Sequence, residues 1–260
     1  MKIAICGKGG SGKSVVTTLL AKSLVQQGKR VLVVDSDESN ASLYLMLGFE
    51  SPPTPLMEQV GGKKSVQDKL KSAMTSESSE GGMSILQQEV LRIDDIPAGY
   101  LQTDDSLNLA AVGKIQQSLE GCACPMGVLS REFLKKLSLL DNEVLLVDME
   151  AGIEHFGRGL ETSLDTVLTV VEPSKESLLL AGKIKELCEQ SQIASYAALI
   201  NKSPSNDISE QIKKELEDQG IRVLGSIAQD QEIFRRTLSG EPINAEKVPP
   251  GMQEIVQSMF

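Results

Sequence analysis

Positive charge is scarce in this 260-residue chain: 26 Lys and Arg stand against 36 Asp and Glu, for a formal net charge of −10. That balance repels phosphate backbones and anionic lipid, which makes nucleic acid and membrane surfaces poor partners. Long apolar runs are missing as well. Stretches such as Val31-Leu32-Val33-Val34 reach about four residues, against the ~20 of a membrane helix. Met1-Lys2 leads straight into a strand-like run without a secretory pattern, so the expected location is cytoplasmic. Four cysteines are too few for a disulfide framework, and a special cysteine here would be a metal ligand or a reactive thiol. With 40% hydrophobic residues a chain of this size buries a core without such staples.

What is present is an alternation of β-branched apolar runs with segments of helical period, the pattern of βαβ units and a parallel sheet covered on both faces. Strands are expected at Lys2–Cys6, Arg30–Asp35, Leu107–Val112, Glu143–Asp148, Thr166–Val171, Ala197–Ile200 and Arg222–Ser226. Helices are expected at Lys13–Gln27, Val128–Leu140, Lys175–Gln192, Ser205–Gln219 and Gln231–Leu238. The expected fold class is therefore α/β, with residues 1–260 as one doubly wound, mostly parallel domain. Residues 50–105 break the rhythm with Pro52-Pro53, Gly61-Gly62 and Gly81-Gly82, and read as a loop-rich excursion carrying short helices.

Gly7-Lys8-Gly9-Gly10-Ser11-Gly12-Lys13-Ser14 satisfies G-x-x-x-x-G-K-[ST] directly after a strand and at the start of a helix, the context that makes this phosphate loop specific. Glycines let successive backbone N–H groups turn inward on phosphate oxygens, and the helix N-terminus adds its positive dipole end. Gly9, Gly10, Ser11, Gly12, Lys13, Ser14 and Val15 form the expected cradle. Within it Lys13 reaches the β- and γ-phosphates, and the Ser14 hydroxyl ligates Mg²⁺. A second lysine, Lys8, is not needed by an ordinary loop. Asp37 and Asp148 close two strands at the carboxyl edge, where ligands bind in open α/β sheets. A helix-capping role is the plain alternative for each. Asn201-Lys202 also follows a strand, but a guanine-reading Asn-Lys-x-Asp would need a carboxylate at Pro204, so ATP is favoured over GTP.

Among the cysteines, Cys6 and Cys188 fall on apolar faces and read as buried small hydrophobes. Cys122-Ala123-Cys124-Pro125 sits instead in an expected turn. Two thiolates grip a soft metal from one side and leave a tetrahedron half empty. A two-fold axis through this turn would complete it with four thiolates from two chains. A redox-active pair, or incidental exposed thiols, are the rival readings.

The loop G-K-G-G-x-G-K-S resembles the deviant Walker A motif of the MinD, ParA and nitrogenase iron-protein class of dimeric ATPases. By that resemblance Lys8 crosses a homodimer interface to the partner's nucleotide. Asp37 would position or deprotonate the attacking water and touch the metal shell, Asp148 would hold the Mg²⁺ shell, and Asn201 would pair with the adenine edge. Gly152 would let the chain approach the γ-phosphate and move on hydrolysis. Glu38 stands where the class often has proline. Together with Cys-x-Cys-Pro, the segment Asp148-Met-Glu-Ala-Gly-Ile-Glu-His155 resembles the CooC-type maturation ATPases. The resemblance implies an ATP-driven nickel-insertion chaperone, holding Ni²⁺ or Zn²⁺ at interfacial cysteines, for carbon monoxide dehydrogenase or acetyl-CoA synthase. His155 is a ligand, a signalling residue in the second switch, or an ordinary packed histidine.

Competing readings are separable. An iron–sulfur reductase of this class would want a cysteine beside the second switch, and Asp148–Gly159 has none. A membrane-positioning ATPase would want a basic amphipathic tail, whereas Pro249–Phe260 contains Glu254 and no Lys or Arg. A DNA partitioner would want a basic surface. A metal-binding module without enzymatic activity would leave Lys8, Lys13 and both aspartates unexplained.

Overall fold

Alternation along the central strands sets the architecture. On β1 (Lys2–Gly7) Ile3 and Ile5 pack into one apolar cluster while Ala4 and Cys6 pack into another; on β2 (Arg30–Asp35) Val31 and Val33 join the first, Leu32 and Val34 the second. A strand apolar on both faces has to be covered on both. The computed structural model describes residues 1–75, 84–113, 124–153, 163–244, 246, 248–249 and 251–259.

The remaining strands are β3 (Gln102–Asp104), β4 (Leu107–Ala111), β5 (Glu143–Asp148), β6 (Thr166–Val171), β7 (Ser195–Ser203) and β8 (Arg222–Ala228). They join one eight-stranded sheet in the order β3-β4-β2-β5-β1-β6-β7-β8. Every pairing is parallel except β3 with β4. Helices α1 (Lys13–Gln26), α2 (Leu43–Leu47), α8 (Gln231–Ser239) and α9 (Gly251–Gln257) supply residues to the first cluster. Helices α3 (Leu56–Gln59), α4 (Gly62–Thr75), α5 (Cys124–Lys136) and α6 (Lys175–Gln190) supply the second. A smaller cluster joins α6 and α7 (Asn206–Asp218) to β6 and β7. The expected doubly wound α/β class is the one observed.

Two expectations needed correction. The helix expected at Val128–Leu140 is α5 and opens at Cys124, so Cys124 and Pro125 start a helix rather than sit in a turn. Proline is well suited to that first turn, where its missing N–H would have no partner anyway. The excursion at 50–105 also carries more order than expected, including α4 and the antiparallel edge strand β3.

Candidate nucleotide site

The loop from Gly7 to Ser14 joins the central strand β1 to α1, and its shape depends on two glycines. Gly7 has φ +140° and a Cβ there would lie 2.5 Å from the Val170 carbonyl oxygen; Gly12 has φ +92° and its Cβ would lie 2.3 Å from Asn201 Nδ2. The α1 N-terminus differs from those of α6, α7 and α8. Ser174, Ser205 and Asp230 cap those three helices, whereas Gly12 offers α1 no side-chain cap and its first turn holds no acid. Its leading amides thus have no side-chain cap, as an anion site requires.

Around this loop the carboxyl edges of β2 and β5 bring acids together, since Asp35 and Asp148 are register partners. Ser14 Oγ donates to Asp148 Oδ2 at 2.7 Å, and Thr17 Oγ1 donates to Asp148 Oδ1 at 3.4 Å. Asn40 Nδ2 donates to both Ser14 Oγ at 3.1 Å and Asp148 Oδ2 at 3.2 Å. The Asp148 carboxyl is pushed up to about 7, chiefly by burial and then by the charge of Asp35, against the Ser14 hydrogen bond and the Lys13 charge. Asp37 donates its backbone N–H to Asp35 Oδ1 at 3.1 Å and accepts from Ser39 N and Oγ at 2.9 and 2.6 Å. Hydroxyl and carboxylate oxygens crowded around a carboxyl that resists ionisation form a donor set suited to a hard divalent cation such as Mg²⁺. Among the described residues no three His, Cys, Asp or Glu side chains converge on one point. That also suits Mg²⁺, which takes one or two carboxylates and fills its shell with water and phosphate oxygens.

Lys13 is buried and its Nζ donates back to the Lys8 carbonyl at 3.4 Å, inside the loop it is expected to serve. Lys8 Nζ meets Glu172 Oε1 at 3.2 Å and Glu176 Oε2 at 3.0 Å within its own chain. Those two carboxylates raise the Lys8 pKa and keep it charged. Gly152 donates its N–H to the Gly7 carbonyl at 3.3 Å, which lays the segment after β5 across the loop. Asn201 is buried and donates Nδ2 to the Ser11 carbonyl at 2.8 Å. Its amide thus braces the loop here. Asn201 also lines a cavity of about 330 Å³ with Gly12, Val15, Lys202, Asp230 and Phe234, a volume in the small-molecule range.

Sequence reasoning missed four contributors. Asp35 reads in sequence as an ordinary strand residue, Asn40 sits in the following loop, and Glu172 is remote in sequence from the Lys8 it pairs with. Lys202, at φ +58°, donates Nζ to the Gly10 carbonyl at 2.5 Å. The signal for Asp35 was its place level with Asp148 at the ends of neighbouring strands. Cys122 and His155 lie outside the described residues, as does the side chain of Cys124. Cys6 is buried, which pushes its thiol up to about 11, as fits an inert core residue.

A phosphate loop ahead of an uncapped helix, with acids at the ends of adjacent parallel strands, defines a P-loop nucleotide-binding protein. Residues 2–243 match the CobQ/CobB/MinD/ParA nucleotide binding domain, and the chain belongs to that family and is an ATPase. An uncharacterized ATP-binding protein of Methanocaldococcus jannaschii is 44% identical over 249 residues, 95% of each chain. The carbon monoxide dehydrogenase accessory protein CooC of Rhodospirillum rubrum is 34% identical over 209 residues, 79% of this chain and 75% of that protein. In fold the chain matches the septum site-determining protein MinD of Pyrococcus horikoshii in complex with Mg-ADP, with a TM-score of 0.66 at 18% identity over 99% of this chain and 95% of that one. No helix among the described residues is long and apolar enough to cross a membrane.

Proposed function

We propose that this ATPase is a nickel-insertion chaperone, in which Mg-ATP binding and hydrolysis close and open a homodimer carrying a Cys122/Cys124 metal site. What carries the reading is the relation to CooC along 79% of the chain, in a sequence whose Cys-x-Cys pair ends on Cys124, the first residue of α5. Lys13 and the α1 amides neutralise the phosphates, Ser14 and Asp148 hold the Mg²⁺ shell with Asp35 beside them, and Asp37 orients the attacking water. Adenine occupies the cavity beside Asn201. Lys8 leaves Glu172 and Glu176 to reach the partner's nucleotide, a contact available only in the closed dimer. Two Cys122/Cys124 pairs then supply four thiolates to one Ni²⁺ or Zn²⁺ ion, and hydrolysis loosens the dimer to present the ion to a client such as carbon monoxide dehydrogenase or acetyl-CoA synthase. The whole chain works as one domain, in the cytoplasm, without nucleic acid or membrane.

A reconstitution assay tests this role. Nickel-free carbon monoxide dehydrogenase should gain activity from the nickel-loaded chain plus ATP, and gain much less with a non-hydrolysable analogue or with Cys124→Ala. Activation equal to that by free Ni²⁺, whatever the nucleotide, contradicts it.

A further inference from the structure

Asn201 and Lys202 are neighbours on β7, and in a regular strand neighbouring side chains point to opposite faces. Here both reach the same loop. Asn201 Nδ2 donates to the Ser11 carbonyl at 2.8 Å, and Lys202 Nζ donates to the Gly10 carbonyl at 2.5 Å. The backbone breaks the alternation. β7 pairs with β8 through Ile200 with Ser226 and Ser203 with Ala228, so Asn201 and Lys202 together stand against Ile227 alone, and Lys202 takes φ +58°. That left-handed conformation is unfavourable for a residue with a Cβ. Bulges of this kind re-aim side chains beside functional sites, and the strain persists where surrounding contacts hold it.

What the pair does to the loop follows from peptide geometry. The loop's peptides are trans, which sets each carbonyl opposite the N–H of the next residue. A donor on the Gly10 carbonyl therefore turns the Ser11 N–H away from Lys202, and that N–H closes the loop's own turn on the Lys8 carbonyl at 3.2 Å. A donor on the Ser11 carbonyl likewise turns the Gly12 N–H, the last before α1, to the side away from Asn201, where a phosphate oxygen can take it. We infer that Lys202 is a positioning residue for phosphate binding: by holding the Gly10 carbonyl outward it fixes the peptide planes of the loop before the nucleotide arrives.

Lys202 also lines the cavity beside Asn201, so a direct contact with the base is the rival role. The position of its ammonium favours the loop, because Nζ is engaged by the Gly10 carbonyl and lies 3.9 Å from Glu172 Oε2, the carboxylate that also holds Lys8. The inference rests on nucleotide binding alone and is independent of the nickel reading.

Calorimetry on the full chain, with Mg-ADP and with inorganic pyrophosphate, separates the two roles, since pyrophosphate has no base. Lys202→Met removes the donor and keeps an apolar stem, Lys202→Arg restores a donor, and Lys202→Gly relieves the left-handed φ. Lys202→Met should weaken ADP and pyrophosphate by the same factor, about tenfold or more, and Lys202→Arg should recover most of it. Lys202→Gly should bind as weakly as Lys202→Met while melting no lower than the unaltered protein, which separates binding from stability. ADP weakened with pyrophosphate unchanged would make Lys202 a base contact. Binding unchanged in Lys202→Met, Lys202→Arg no better than Lys202→Met, or losses that track the melting temperature across the three variants would each overturn the inference. So would an unaltered protein that binds ADP but not pyrophosphate, because its loop would hold no preset phosphate site.

Discussion

Replacing Asp148 by asparagine should make the metal-free, nucleotide-free protein more stable at pH 8 while removing its Mg-dependent activity. The Asp148 carboxyl is fully buried and pushed from 3.8 up to about 7, so keeping it ionised above pH 7 costs at most about 4 kcal/mol. Asparagine avoids that cost but has a single acceptor oxygen, where Asp148 accepts from Ser14 and Asn40 on Oδ2 and from Thr17 on Oδ1. Losing one acceptor offsets about 1–2 kcal/mol. The net gain is roughly 1–3 kcal/mol, or about 5 °C in melting temperature for a chain of this length. The pH sign follows from the raised pKa. Between about pH 4 and pH 7 the native carboxyl binds more proton than the unfolded one, so this group's contribution falls as pH rises through that window and is flat above it. Urea unfolding in EDTA, for both proteins from pH 4 to pH 8, should show the variant ahead at pH 8 and its advantage gone near pH 4. A variant less stable at pH 8, with an unchanged pH slope, would refute the assignment of a frustrated buried carboxylate.

Other outcomes follow from the loop and the switches. Lys13→Ala should lose ATP binding, whereas Asp37→Asn should bind ATP yet hydrolyse it about a hundredfold more slowly or worse, as equilibrium binding and phosphate release will report. Gly12→Ala must displace the Asn201 amide from Ser11 and hold alanine at positive φ; about 2–3 kcal/mol of stability should be lost, read by denaturant titration. Because Lys8 is held by Glu172 and Glu176 of its own chain, Glu172→Gln with Glu176→Gln should raise the dimer fraction under a non-hydrolysable ATP analogue and Lys8→Ala should lower it. Light scattering measures both, and an equally dimeric Lys8→Ala would remove the trans role of the lysine.

The sequence was most legible where one physical rule acted alone. β1, β2, β5 and β6 are buried apolar runs with few alternatives, and Gly7–Ser14 is a pattern in which Gly7 and Gly12 have steric reasons visible in the Val170 and Asn201 contacts. β3 was hidden because Gln102-Thr103-Asp104 has no apolar face and exists only by pairing with β4. α4 was hidden by the glycines before it and by a polar sequence with few apolar positions. At α5 the proline read as a turn, although it serves a helix start equally well. The acids of the site were half legible. Asp148 ends β5 and Asp37 stands two residues past the end of β2, both recognisable places, but Asp35 gains its place from strand register with Asp148 and Asn40 from a loop path, which single-sequence patterns do not encode. Glu172 stands far from Lys8 in sequence, and only the adjacency of β1 and β6 brings them together.

If two chains share one metal ion under nucleotide control, a single titration reveals it. Ni²⁺ or Zn²⁺ is added to the reduced protein under a non-hydrolysable ATP analogue, with bound metal and mass determined on the same sample. One ion per two chains is predicted, lost in Cys122→Ala and in Cys124→Ala and weakened as pH falls, since thiolate ligation releases protons. One ion per chain, or tight binding that survives both substitutions, would contradict the shared site.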